Sequence, residues 1–257
     1  MLLVAGIALG TAAAAYLYTL HKKRRALATA AEPSGTLQLP VIDFNVFNAR
    51  ASSPAAGALY HAECAKVAEA LHKYGICIVR DPRVLEADNS RFLDMMERYF
   101  FLSSGGAGRI RDQRPEYAFQ IGVTPEGTER PRNHCARIGS MTPGNKPLSP
   151  CPPELDPKWR FFWRVGPVPK KTAFPALNAD AVIPPEFPEW KEVMDMWGDK
   201  MCSALFVMAE MAATGFGMPE DAFTSRMVNG PHLLAPTGSD FSKVRARGMR
   251  GGLVVAR

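Results

Sequence analysis

The stretch that most constrains this chain runs from Phe187 to Phe216. Apolar side chains recur there at Trp190, Val193, Met194, Trp197, Met201, Leu205, Met208 and Met211. This three-and-four spacing puts them on one helical face. Pro188 suits a first helical turn, and Gly215 and Gly217 supply stops ahead of Pro219. The pattern predicts a helix over 188–214, about 40 Å long at about 1.5 Å per residue. Lys191, Glu192, Asp195, Asp199 and Lys200 lie off the stripe and are expected to face water. A stripe of that length demands a large apolar partner surface, and its Met and Trp residues read as packing.

The pI of about 9.1 invites a nucleic-acid reading, but the charge is confined to the ends of the chain. Residues 1–25 carry four Lys/Arg and no acid, and residues 243–257 carry five and no acid. Residues 26–242 carry 22 basic against 25 acidic residues, a net of −3, which argues against general attraction to a phosphate backbone. Trp159-Arg160-Phe161-Phe162-Trp163, flanked by Lys158 and Arg164, has the composition of a base-stacking platform. Four aromatics so close together read instead as local core, so no nucleic-acid partner is expected. Cys64, Cys77, Cys135, Cys151 and Cys202 are scattered without a Cys-x-x-Cys pair. That spacing favours reduced thiols over a disulfide framework.

Residues 2–20 form an uncharged run of 19, followed at once by His21-Lys22-Lys23-Arg24-Arg25. As a helix this run spans about 28 Å, close to the roughly 30 Å of a bilayer's hydrocarbon core. Basic residues follow the run and none precede it, so the expectation is a single-pass anchor with the folded part on the cytosolic side. An organelle-targeting segment is the alternative, because the first acid is Glu32. Residues 1–25 therefore read as a transmembrane helix with its basic flank, making the lipid bilayer a partner. Residues 26–38, rich in Ala, Ser, Gly, Thr and Pro, read as a linker.

Leu39-Pro-Val-Ile-Asp-Phe44 reads as a short strand. Ser53-Pro54 starts a helix that Tyr60, Cys64, Val67, Leu71 and Tyr74 carry to Gly75. Ile76-Cys-Ile-Val79 reads as a buried strand turned by Arg80-Asp81-Pro82, and a further helix covers 89–101 until the glycine-rich run 103–108. Residues 109–187 are rich in Pro, Gly and Arg, with little periodicity. The glycine run follows a helix and not a strand, so it reads as a linker and not a phosphate cradle.

Candidate chemistry is sparse. His61-Ala62-Glu63 has the order of residues that some zinc and iron sites use, but residues i and i+2 of a helix point about 200° apart. Pro150-Cys151-Pro152-Pro153-Glu154 lacks the second thiolate of a deaminase motif. His134-Cys135 and His232 have no carboxylate at a metal-ligand offset, and no nucleophile-elbow, Walker or His-Glu-x-x-His pattern occurs. No catalytic, cofactor-binding or metal-binding residue is assigned.

The order of these elements, Leu-Pro-Val-Ile-Asp-Phe, then Glu63-Cys-Ala-Lys-Val-Ala-Glu-Ala-Leu-His-Lys-Tyr-Gly75 leading into Ile76-Cys-Ile-Val-Arg-Asp-Pro82, then the long helix, resembles the N-terminal half of the isopenicillin-N-synthase-like iron(II)/2-oxoglutarate dioxygenases. The resemblance covers about residues 37–242, with 39–242 as the dioxygenase N-terminal-like region. It implies an α+β fold, in which the helix–strand portion and long brace helix support a double-stranded β-helix (jelly roll). It also implies oxidation of a small organic substrate with Fe(II) and 2-oxoglutarate. In the family the barrel supplies His-x-Asp, a distant His and Arg-x-Ser. No His-x-Asp occurs here and no His follows His232, while residues 243–257 form a divergent basic tail. The expectation is therefore a dioxygenase N-terminal portion that lacks most of the barrel and is inactive as written. It should hold no iron or 2-oxoglutarate of its own, and its brace helix should be left short of its main partner. A non-catalytic binding or decoy paralogue and an unrelated membrane-attached helical protein are the alternatives.

Overall fold

The computed structural model describes residues 38–103 and 108–240. The apolar run 2–20, its basic flank and the tail 243–257 lie outside them. Contacts divide the chain between Leu39 and Pro40, and the fold described below is that of the second unit.

The elements alternate helix and strand. Strand β1 (Val41–Asp43) is followed by α1 (Asn45–Ala49), α2 (Pro54–Lys73) and β2 (Ile78–Arg80). Next come α3 (Glu86–Ser103), α4 (Gly108–Asp112), β3 (Gly122–Thr124), α5 (Cys135–Gly139) and β4 (Lys158–Arg164). The 26-residue α6 (Trp190–Gly215), α7 (Thr224–Met227), β5 (Leu233–Leu234) and β6 (Thr237–Ser239) complete the described chain. This is a mixed helix-and-sheet fold.

The start of α2 follows from two residues. The Ser53 Oγ accepts the Ala56 amide, and Pro54 opens the first turn, where its missing N–H costs nothing. Gly75, at φ +71°, receives the chain where the helix ends. The long helix begins two residues later than its pattern predicted, since Pro188 and Glu189 form a turn ahead of it. It ends at Gly215, with Gly217 beyond at φ +70°.

Helix α6 serves two apolar clusters in series. Its N-terminal half gives Trp190, Val193 and Met194 to a core with Phe92, Met95, Met96 and Tyr99 of α3, Val123 of β3 and Phe161 and Trp163 of β4. Its C-terminal half gives Val207, Met211 and Ala212 to a second core with Ile42, Phe44, Tyr60, Cys64 and Val67. Trp190, Val193, Met194 and Met211 are wholly buried; burying each of the last three stabilises the fold by about 2 kcal/mol. The brace helix is thus not short of partners along most of its stripe, contrary to the expectation. Helices α2 and α3 and strand β4 cover it, and Leu205, 61 % exposed, is the stripe residue left open.

The region 109–187, which shows little periodicity in sequence, holds two strands. These are β3 and β4, paired antiparallel with Val123 opposite Phe161. Trp159 to Trp163 are the core of that strand, as their clustering suggested, with Phe161 wholly buried. β6 pairs with the first half of β4 and β5 with its end, which builds a four-stranded sheet. β2 pairs parallel with β1 in a separate two-stranded sheet. β2 was expected to be buried, yet Ile78 and Val79 are 49 % and 38 % exposed. Only β1 pairs with it, so its apolar residues lack a second layer among the described residues.

The expectation of uniformly reduced thiols is also corrected. Cys135 and Cys151 form a disulfide, with Cα atoms 5.6 Å apart, while Cys64, Cys77 and Cys202 are free. Both partners lie in the Pro- and Gly-rich connector between β3 and β4, where no helical or strand period marks neighbours.

Helices α2 and α6 approach closely at Gly215, where an added Cβ would lie 2.1 Å from the Cys64 carbonyl oxygen and 3.1 Å from Ala68 Cβ. The obstacle is backbone, so the helices themselves would have to part. Gly215→Ala is expected to cost about 1–3 kcal/mol in urea denaturation. Gly139→Ala, where an added Cβ meets nothing within 4 Å, should stay within about 0.5 kcal/mol of the parent.

Candidate functional site

Three places gather chemistry-bearing side chains. The largest is a cavity of about 770 Å³ between α3 and the β4–β6 ladder. Phe92, Leu93, Met96 and Phe100 reach it from α3 because they recur on one helical face. Trp159 and Gly238, directly opposite each other across the β4–β6 pair, form the other wall. A Cβ at Gly238 would lie 2.8 Å from the Phe100 ring, so any larger residue there would have to displace that ring. Glu97, Arg98 and Asp240 bring charge to the lining, and Arg98 pairs with Glu189 at 3.3 Å. An apolar cavity of this volume with a few polar groups suits a small organic molecule. Its described lining includes no histidine or cysteine.

The second place is where α2 meets the end of α6. The Tyr60 hydroxyl lies 3.5 Å from Thr214 Oγ1 and donates to Glu220 Oε1 at 3.4 Å, and Arg50 approaches the same carboxylate at 3.7 Å. Burial pushes the Tyr60 phenol up to about 12 and raises the Cys64 thiol. Burial, and then the charge of Glu220, raises the Glu210 carboxyl. Each effect favours the neutral form, so the phenol and thiol are held protonated at neutral pH and act as packing with a polar tip.

The third is a small cavity of about 70 Å³ lined by Cys202, His232 and apolar neighbours. His232 Nε2 is 2.8 Å from the Met227 carbonyl oxygen, and beside the cavity Arg164 donates to the carbonyls of Val165, His232 and Pro167. Burial lowers the Arg164 guanidinium from its ordinary value and raises the Cys202 thiol. Among the described residues the buried Arg164 Nε has no hydrogen-bond partner.

The described histidines do not converge. His61 and His72 are exposed on α2, and His134 is exposed in the connector. Glu63, two residues from His61, accepts the Asp43 amide and Lys66 Nζ, so its carboxylate points away into the β1 contact. Among the described residues no group of three His, Cys, Asp or Glu is placed to hold a metal ion. The donor set of a 2-His-1-carboxylate centre is not assembled from them. The sequence pattern identifies the helix that floors the large cavity but not the cavity, because the opposing wall comes from strands without a periodic signal.

No family model matches the sequence, and no curated protein matches it. Solved structures do. A full-length Neurospora crassa protein crystallised in complex with alpha-KG superposes with a TM-score of 0.54 at 14 % identity, covering 80 % of this chain and 55 % of that one. A putative 2OG-Fe(II) oxygenase family protein from Caulobacter crescentus gives a TM-score of 0.51 at 16 % identity, over 74 % and 52 % of the two chains. The C-terminal truncated form of the Neurospora crassa protein, in apo form, gives 0.52 at 14 %, over 80 % and 63 %. The chain therefore shares the fold of 2OG-Fe(II) oxygenases and spans about half the length of the first two structures.

Leu93→Trp is expected to fill the large cavity and to weaken binding of an anilinonaphthalene sulfonate dye by about tenfold, a loss of about 1.4 kcal/mol. Fluorescence titration checks this. Leu59→Trp, placed on exposed α2 surface, should leave the titration unchanged.

Proposed function

We propose that this chain is the scaffold portion of a 2OG-Fe(II) oxygenase-like protein acting on a small organic molecule, and that the described residues bind such a molecule without oxidising it. The observation that carries this reading is the oxygenase-type fold around residues that offer no three-ligand group for iron. In active oxygenases of this fold, Fe(II) and 2-oxoglutarate supply the oxidising chemistry. Among the described residues the donor set does not fit that centre, and no catalytic step is assigned to them. The apolar cavity between α3 and β6 supports the binding part of the proposal, because its size and lining match a small hydrophobic or aromatic ligand. The same cavity favours a non-catalytic binding paralogue as the second reading.

Anaerobic titration of the full chain with Fe(II) and 2-oxoglutarate is expected to give neither a stoichiometric tight site nor a metal-to-ligand charge-transfer band, and aerobic incubation to give no succinate. One tight iron site, or succinate formed in proportion to protein, overturns the proposal.

The run 2–20 with its basic flank is proposed as the membrane tether, with the folded unit cytosolic. In a glycosylation-reporter assay, moving Lys22–Arg25 ahead of the run is expected to invert or abolish the orientation. Unchanged reporter topology counts against an anchor.

A further inference from the structure

The connector between β3 and β4, residues 125–157, is built in two parts. Its base is closed by the Gly127 amide donating to the Asp156 carbonyl at 2.7 Å and the Asp156 amide donating to the Glu129 carbonyl at 3.0 Å. Arg160 Nη1 donates to Glu129 Oε1 at 2.6 Å, and Lys158 pairs with both Glu129 and Asp156. These contacts tie the base to β4 without any help from sulfur.

The tip is different. The described hydrogen bonds of residues 131–150 all run to partners within the same segment, such as Cys135 to Asn133, Ser140 to Arg137 and Asn145 to Thr142. None of its residues belongs to either apolar cluster, and Leu148 is fully exposed. The Cys135–Cys151 disulfide is what joins the two ends of this tip. Cys151 is exposed and Cys135 half-buried, so Cys151 is the more accessible of the two to an attacking thiolate. Residues 130–151 contain Arg130, Arg132, Arg137 and Lys146 and no acidic residue.

We propose that Cys135–Cys151 is a reversible thiol–disulfide site for anionic low-molecular-weight thiols, and that it opens and closes the connector tip while the base stays shut. A thiolate attacks Cys151 Sγ, the S–S bond breaks, and Cys135 leaves as a thiolate in the basic segment that holds Arg132 and Arg137. A second small thiolate attacks the mixed disulfide and releases Cys151. Two small thiols are oxidised to their disulfide, and the two cysteines are reduced. The basic tip concentrates an anionic attacker and stabilises the leaving thiolate, an effect that salt screens.

The test uses the full chain, with peptide-resolved alkylation to separate this pair from Cys64, Cys77 and Cys202. Without reductant, Cys135 and Cys151 are expected to resist alkylation. Glutathione should then release both together, several-fold faster than 2-mercaptoethanol at equal thiolate concentration, and the advantage should shrink in high salt. Arg132→Gln with Arg137→Gln should remove that advantage, slowing glutathione several-fold more than it slows 2-mercaptoethanol. On reduction of the parent chain, trypsin cleavage after Arg132 and Arg137 should rise at least tenfold with far-ultraviolet circular dichroism unchanged. Alkylation of both cysteines before reductant, equal rates for the two thiols, or loss of the folded signal on reduction would each overturn the proposal.

Discussion

The contact on which the rest depends is the crossing of α6 over α2 at Gly215. There the two backbones come so close that no side chain fits between them. This crossing fixes the far end of a 26-residue rod whose near end is locked by Trp190 among Tyr99, Phe161 and Phe187. With both ends held, the rod sets the distance between two cores that otherwise share no element. One core gathers β1, α2 and the end of α6; the other gathers α3, the four-stranded sheet and the start of α6. Between them, polar ties hold α6 to the turn after β2. Arg83 donates to Ser203 Oγ, and Lys200 donates to the Arg83 carbonyl and pairs with Asp88. Two hydrogen bonds from the Arg83 guanidinium also keep the Asp81 carboxyl below the usual carboxylate range.

How much of this was legible depended on whether a segment carried its own period. The Ser53-Pro54 cap, the stop at Gly75 and the α6 stripe are local signals, and each element formed close to its predicted bounds. β4 was recognised only as an aromatic cluster. A seven-residue strand whose burial changes along its length offers no clean alternation, and the strands it pairs with are remote from it in sequence. The exposure of Ile78 and Val79 was illegible because a short apolar run says nothing about whether a second layer exists. The disulfide was missed for a related reason. The Pro- and Gly-rich chain brings Cys135 to Cys151, a sequence separation of 16, through turns that no spacing rule encodes.

The candidate site divides in the same way. The sequence contains one wall of the large cavity as a helical stripe, and the other wall exists only once Gly238 is paired against Trp159. His61 and Glu63 diverge on α2 as helical geometry requires, and the Glu63 carboxylate accepts the Asp43 amide. What the described residues establish is the fold of 2OG-Fe(II) oxygenases.

The distance along the chain between partners has a consequence for synthesis. Tyr60 meets Thr214 across 154 positions, so the core around Ile42, Cys64 and Val67 has no lid until the C-terminal half of α6 has left the ribosome. At about 5–20 residues per second that interval lasts several seconds or more. During it, α2 and the β1–β2 pair leave the apolar face of that core uncovered. A chain of this design folds late, with α6 arriving as the piece that closes both cores.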